Sequence, residues 1–76
     1  MAQINGNFYY KIDVQSRSNG YSFMVRSDDE ISDDEAISRA LSADCFIDED
    51  DADAATVDML IDEKDVEAFA SSTYDV

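Results

Sequence analysis

The densest group of chemically capable side chains lies in the segment DCFIDEDDAD, residues 44–53. Five carboxylates fall within six positions of this segment: Asp48, Glu49, Asp50, Asp51 and Asp53. Carboxylate oxygens bind hard cations, transfer protons, or present negative charge to a basic partner. They also keep a chain hydrated, so the role of this run depends on what the rest of the sequence provides.

Enzyme catalysis lacks its usual side chains here. The chain has no histidine and one cysteine. It therefore lacks the ligands of a zinc site and the histidine that Cys–His or Ser–His–Asp catalysis requires. It has two glycines and no GxxxxGK[ST] or GxGxxG motif to hold nucleotide phosphates. Paired carboxylates that act as acid and base need a shielded cleft. A domain of this size has too small a core to form one easily. We therefore predict no catalytic residue, no enzyme activity and no cofactor.

A dedicated calcium site is not predicted either. An EF-hand loop needs oxygen ligands at positions 1, 3 and 5, glycine at position 6 and glutamate at position 12. A loop starting at Asp48 would place Asp53 at the glycine position and Met59 at the glutamate position. A loop starting at Asp51 also fails at two or more positions. We therefore predict no metal ligands, and only weak, nonspecific binding of divalent cations.

The charge of the chain is distributed unevenly. Residues 1–26 carry three cations against one carboxylate, whereas residues 27–76 carry two cations against 18 carboxylates. Direct binding of nucleic acid is disfavoured, because proteins bind phosphates with lysine and arginine. The asymmetry instead favours a basic protein surface as the partner. Of the 19 acids, 14 are aspartates, whose short side chains lose little entropy on docking.

The length of 76 residues predicts a single small domain spanning residues 1–76. The sequence shows neither the pattern of a signal peptide nor an apolar run long enough to span a membrane. Its one cysteine, Cys45, cannot form an internal disulfide. We therefore expect a cytoplasmic protein without membrane contact.

The first third of the chain has the pattern of an antiparallel β-hairpin. Apolar and polar residues alternate in FYYKIDVQ and in YSFMVR, and Asn19-Gly20 between them suits a tight turn. One face of this hairpin is expected to form the core: Phe8, Tyr10, Ile12, Val14, Tyr21, Phe23 and Val25. The opposite face carries Tyr9 and Met24, which either form a contact surface or merely cover the sheet edge.

An acidic helix is predicted after the hairpin. Ser27 and Ser32 are each followed three residues later by glutamate, which is the spacing of a capping box. The second box precedes apolar residues at helical spacing, so we expect a helix from about Asp33 to Ala43 or Asp44. Its first-turn carboxylates are favoured by the helix dipole even without a partner.

The last third of the chain is ambiguous between strand and helix. The segment TVDMLID is interpreted as a third strand with Val57, Met59 and Ile61 on one side, although a helical pattern also fits. Asp62 can cap a short helix that runs through Phe69 and Ala70. The tail SSTYDV is either a further edge strand or frayed. The predicted class is α+β: a hairpin, an acidic helix, a third strand and a short C-terminal helix.

The chain resembles small phage-encoded inhibitors of bacterial defence, in particular anti-CRISPR proteins and other DNA mimics. The resemblance rests on size, acidity, the N-terminal hairpin and the acid-rich helix starts, so it transfers no functional residue. It implies a non-catalytic inhibitor that binds a Cas protein or surveillance complex and blocks target-DNA binding in the cytoplasm of an infected bacterium. An acidic module for another basic partner and a halophilic protein are the alternatives, although salt adaptation should also acidify the hairpin.

The proposed partner surface consists of carboxylates from residue 28 onward. They are Asp28, Asp29, Glu30, Asp33, Asp34, Glu35, Asp48, Glu49, Asp50, Asp51, Asp53, Asp58, Asp62 and Glu63. Tyr9 and Tyr74 are candidate aromatic anchors beside them. Pairing of exposed hairpin edges would give a dimer, but self-repulsion at a net charge of −14 favours a monomer.

Overall fold

The structure is a computed structural model that describes residues 4, 6–15 and 20–76. It confirms the α+β class, with four strands in one mixed sheet. The layout differs from the predicted one, because a 3₁₀ helix precedes the third strand and a fourth strand follows the C-terminal helix. The elements are β1 (Phe8–Val14), β2 (Tyr21–Ser27), α1 (Asp33–Ser42), a 3₁₀ helix (Glu49–Ala54), β3 (Ala55–Leu60), α2 (Glu63–Ala68), a 3₁₀ turn (Ala70–Ser72) and β4 (Thr73–Asp75).

The sheet has the strand order β3-β1-β2-β4. β1 and β2 pair antiparallel, from Phe8 opposite Ser27 to Val14 opposite Tyr21, as the alternating pattern predicts. β3 adds antiparallel to β1, and β4 adds parallel to β2. Both outer edges of the hairpin are therefore covered, so the edge pairing that would give a dimer is not open to β1 or β2. The predicted turn residue Asn19 lies outside the described residues.

The main core lies between the sheet and α1. The predicted core face of the hairpin is confirmed, with Tyr21 half-buried at its margin. α1 contributes Ala36 and Ala40, both fully buried, and their small side chains allow the helix to lie close to the strands. Cys45, just after the helix, closes this core.

A second, smaller core lies on the other face of the sheet. Tyr9 and Met24 are buried there with Leu60, and Val66 and Phe69 cover them. The interpretation of Tyr9 and Met24 as a contact surface is therefore wrong. The reason is that α2 and the turn after it fold back across this face, which period-two alternation in the hairpin cannot reveal.

β3 settles the ambiguity of the last third in favour of a strand. Val57 and Met59 pack against the main core, whereas Leu60 points to the second core. The expected packing of Ile61 beside Val57 and Met59 is wrong, since the strand ends at Leu60 and the Ile61 side chain is 74% exposed.

Serine and aspartate caps set where the two helices begin. The Ser32 hydroxyl accepts a hydrogen bond from the Glu35 backbone N–H at 3.1 Å, so α1 starts where the second capping box predicts. Ser27 caps no helix, because it is the buried last residue of β2. Asp62 caps α2 as predicted by accepting from the Lys64 N–H at 2.9 Å, although α2 ends at Ala68, short of the expected Ala70.

Candidate acidic interaction surface

All 14 predicted partner-binding carboxylates lie in the described part of the chain. Thirteen are exposed and one, Asp51, is half-buried. They form three groups on different elements of the fold. Strand pairing, helix caps and side-chain hydrogen bonds position these groups.

The first group, called here the first acidic run, comprises Asp28, Asp29, Glu30, Asp33, Asp34 and Glu35. The Ser27 hydroxyl accepts from the Asp29 N–H at 3.2 Å and turns the chain away from β2. The Ile31 N–H then donates to the Tyr10 hydroxyl at 2.8 Å, which anchors the loop to the sheet. Its last three carboxylates occupy the first turn of α1, where they meet the positive end of the helix dipole.

The second group, called here the second acidic run, comprises Asp48, Glu49, Asp50, Asp51 and Asp53. Asp48 caps the 3₁₀ helix by accepting from the Asp50 N–H at 3.3 Å. The Tyr21 hydroxyl donates to the Asp51 carboxylate and accepts from the Ile47 N–H at 3.2 Å. Burial, followed by the bond to Asp51, raises the pKa of Tyr21. Asp51 therefore holds the segment to β2, whereas the other four carboxylates of the run are exposed.

The two acidic runs lie at opposite ends of β2. Ser27, which turns the first run, and Tyr21, which holds the second, are the terminal residues of this strand. At a strand rise of about 3.4 Å per residue, these ends are about 20 Å apart. The structure therefore separates two carboxylate groups that the sequence places only 13 residues apart between Glu35 and Asp48.

The third group lies at the other edge of the sheet. Asp58 is on β3, opposite Lys11 of β1, while Asp62 caps α2 and Glu63 begins it. The predicted site residues therefore do not converge on one spot. They cover both ends and one edge of the sheet.

Few of these carboxylates are neutralised by cations. Among the described residues three ion pairs form: Lys11 with Asp13 at 3.7 Å, Arg39 with Glu35 at 2.9 Å, and Arg26 with Asp75. The hydrogen bond from Arg26 lowers the pKa of Asp75, and the same bond raises the pKa of Arg26. Of the carboxylates in these three ion pairs, only Glu35 belongs to the predicted surface.

An aromatic cluster that the sequence did not predict lies beside the second acidic run. The ring of Phe23 lies 6.4 Å from Tyr21, 5.3 Å from Phe46 and 5.7 Å from Tyr74 between centroids. Tyr74 is 45% exposed, so it remains a candidate anchor, whereas Tyr9 is only 7% exposed. The apolar Cys45-Phe46-Ile47 segment was a signal for this cluster, but its strand partners are distant in sequence.

Other chemistry has little support in the described residues. They contain no group of three or more histidine, cysteine, aspartate or glutamate side chains placed to hold a metal ion. Burial raises the pKa of the Cys45 thiol, which disfavours the reactive thiolate. A shallow cavity of about 370 Å³ beside α1 contains Glu35 and Arg39, which pair with each other.

No helix in the described ranges has the length and apolar character needed to cross a membrane. Comparison of the chain with protein-family models, curated proteins and solved structures finds no match.

Proposed function

We propose that this chain is a non-catalytic inhibitor of a bacterial CRISPR–Cas defence complex. It binds the positively charged DNA-binding surface of a Cas protein or surveillance complex, presents DNA-like negative charge, and blocks target-DNA binding. It acts in the cytoplasm of an infected bacterial cell. The observation that carries this proposal is the pair of exposed acidic runs held at opposite ends of β2.

The dimensions of the molecule support the comparison with DNA. Its longest extent is 34 Å, similar to the roughly 34–36 Å of one turn of B-DNA. A net charge of −14 over 34 Å gives one charge per about 2.4 Å of length, against about 1.7 Å in duplex DNA. The protein therefore has a linear charge density of about two-thirds that of the polymer it would replace.

The local structure supports a rigid display of this charge. The first run is fixed by Ser27, Tyr10 and the Ser32 cap, and the second by Tyr21 and the Asp48 cap. A preorganised charged surface loses less conformational entropy on binding than a disordered acidic tail. Association with a basic groove should accordingly be fast and should weaken as salt rises.

Affinity capture tests the proposal. The tagged protein is incubated with lysate of a bacterium that carries CRISPR systems, and the bound proteins are eluted with a salt gradient and identified by mass spectrometry. We expect Cas subunits that are released as salt rises and displaced by added DNA. A partner that does not bind DNA, or a protein that folds only in molar salt, would overturn the proposal.

Two charge-reversal variants show whether the position of the charge matters. Asp50→Lys/Asp53→Lys changes two exposed members of the second run and leaves Asp51 on Tyr21. The matched control, Asp65→Lys/Glu67→Lys, makes the same change of net charge on α2, outside the predicted surface. We expect the first pair to weaken binding of the captured Cas complex about tenfold more than the control. Equal losses would show that only bulk charge matters.

A further inference from the structure

Next to the second acidic run, large apolar residues of β2, β4 and the loop after α1 lie close together. We call Tyr21, Phe46, Ile47 and Tyr74 the aromatic strip. The Tyr21, Phe46 and Tyr74 rings surround the buried Phe23 ring. Ile47 follows Phe46 in the chain, and its backbone N–H donates to the Tyr21 hydroxyl, which places this residue at the margin of the strip. Ile47 is 84% exposed, the highest value among the large apolar side chains described.

The rings of the aromatic strip are supported by the main core. Phe23 is only 4% exposed, so the rings around it rest on the main core. Tyr74 is fixed by the pairing of β4 with β2, where it lies opposite Val25. Binding to these rings would therefore require little ordering of their side chains, which favours an interface hot spot.

The carboxylates beside the aromatic strip determine which partner side chain it can bind. Asp48 follows Ile47 directly in the chain. The Tyr21 hydroxyl, which accepts from the Ile47 N–H, donates to the Asp51 carboxylate. Carboxylates therefore border the apolar surface. A purely apolar partner would desolvate these charges without compensation. An arginine side chain suits both the rings and the carboxylates, because its planar guanidinium stacks on aromatic rings and donates two hydrogen bonds to a carboxylate. Lysine is a strongly hydrated point charge and does neither as well.

We propose that the aromatic strip binds arginine side chains of the partner, with the carboxylates of the second acidic run accepting their hydrogen bonds. The inference rests on the proposed function in taking the partner to be a DNA-binding surface. It adds that the inhibitor recognises arginines in that surface in preference to lysines. Phosphates of DNA have no aromatic counterpart, so the strip would give the inhibitor contacts that DNA itself cannot make.

Two model peptides test this preference without any knowledge of the partner. One alternates glycine with arginine and the other glycine with lysine, at equal length and charge, and their affinities are measured by isothermal titration calorimetry at physiological salt. We expect the arginine peptide to bind the wild-type protein about tenfold more tightly. Tyr74→Ala and Ile47→Ser should each bring the ratio of affinities close to one.

A matched control is Ile61→Ser. Ile61 is also an exposed isoleucine, but it lies at the junction of β3 and α2, at the opposite edge of the sheet from β4. This variant should keep the arginine preference. Circular dichroism spectra matching the wild type would show that all three variants are folded.

Equal affinities of the two peptides for the wild type would overturn the inference. An arginine preference that survives either Tyr74→Ala or Ile47→Ser would overturn it as well. A Cas complex captured by a protein without arginine preference would refute this inference alone. An arginine preference without any DNA-displaced partner would refute the proposed function alone.

Discussion

At the scale of single residues, the Tyr21 hydroxyl has the most consequences for the candidate site. It donates to Asp51 and accepts from the Ile47 N–H, while its ring lies against Phe23. One side chain thus supports both the second acidic run and the aromatic strip. Removal of the hydroxyl alone separates this support from the packing of the ring.

We predict that Tyr21→Phe lowers the free energy of unfolding by about 1–2 kcal/mol, because two hydrogen bonds are lost while the ring stays. Urea denaturation measures this loss, and hydrogen exchange at the Ile47 amide should become faster. The control is Tyr74→Phe, which removes the hydroxyl of a residue that is 45% exposed and should change stability by less than about 0.5 kcal/mol. Equal effects of the two substitutions would show that the Tyr21 bonds contribute nothing.

The same hydroxyl predicts a pH dependence at the alkaline end. The pKa of Tyr21 is raised above its ordinary value of 10.0, so the folded protein favours the neutral phenol. The stability from this group is fully present below pH 10 and is lost as the pH rises through the folded-state pKa. Urea midpoints at alkaline pH should therefore fall less steeply for Tyr21→Phe than for the wild type. Parallel curves would contradict this assignment.

At the scale of elements, the first-turn carboxylates of α1 stabilise the helix and also belong to the predicted partner surface. Asp33, Asp34 and Glu35 stabilise the first turn through the helix dipole, and Glu35 also pairs with Arg39. Their presence alone therefore does not require a partner. The Ser32 cap is a purely structural contribution to the same turn.

We predict that Ser32→Ala lowers the free energy of unfolding by about 1 kcal/mol, because the Glu35 N–H loses its acceptor. Ser38→Ala, in the exposed interior of the same helix, is the control and should be neutral or slightly stabilising. Urea denaturation of both variants measures the difference. A loss for Ser38→Ala as large as that for Ser32→Ala would argue against the cap.

At the scale of the whole molecule, self-repulsion opposes folding. The net charge is −14, and the two ends of β2 that hold the acidic runs are about 20 Å apart. That distance is shorter than the Debye length of about 30 Å at 0.01 M salt, but longer than the roughly 8 Å at 0.15 M. Repulsion between the runs is therefore felt at low salt and screened at physiological salt.

We predict that the melting temperature rises by about 5 °C between 0.01 and about 0.5 M sodium chloride, which corresponds to about 1 kcal/mol for a domain of this size. Thermal melts followed by circular dichroism measure this shift. The protein should already be folded at the low end of the series. An unfolded chain below molar salt would instead support the halophilic alternative.

The sequence by itself determined the elements whose signals are local. Alternation predicted the hairpin strands and the core face, and the Ser32 and Asp62 caps predicted where α1 and α2 begin. These features depend on neighbours within about four positions, so the chain encodes them directly. The acidity of the surface was visible in the same way, because most charged side chains stay exposed.

Tertiary structure alone decided which of these features meet. It buried Tyr9 and Met24 under α2, left Ile61 exposed, and joined β4 to β2 across about 50 residues of chain. It also separated the two acidic runs and linked Tyr21 to Asp51, 30 positions away. The physical reason is that such contacts depend on which faces of distant elements bury apolar surface together, and no local pattern specifies that choice.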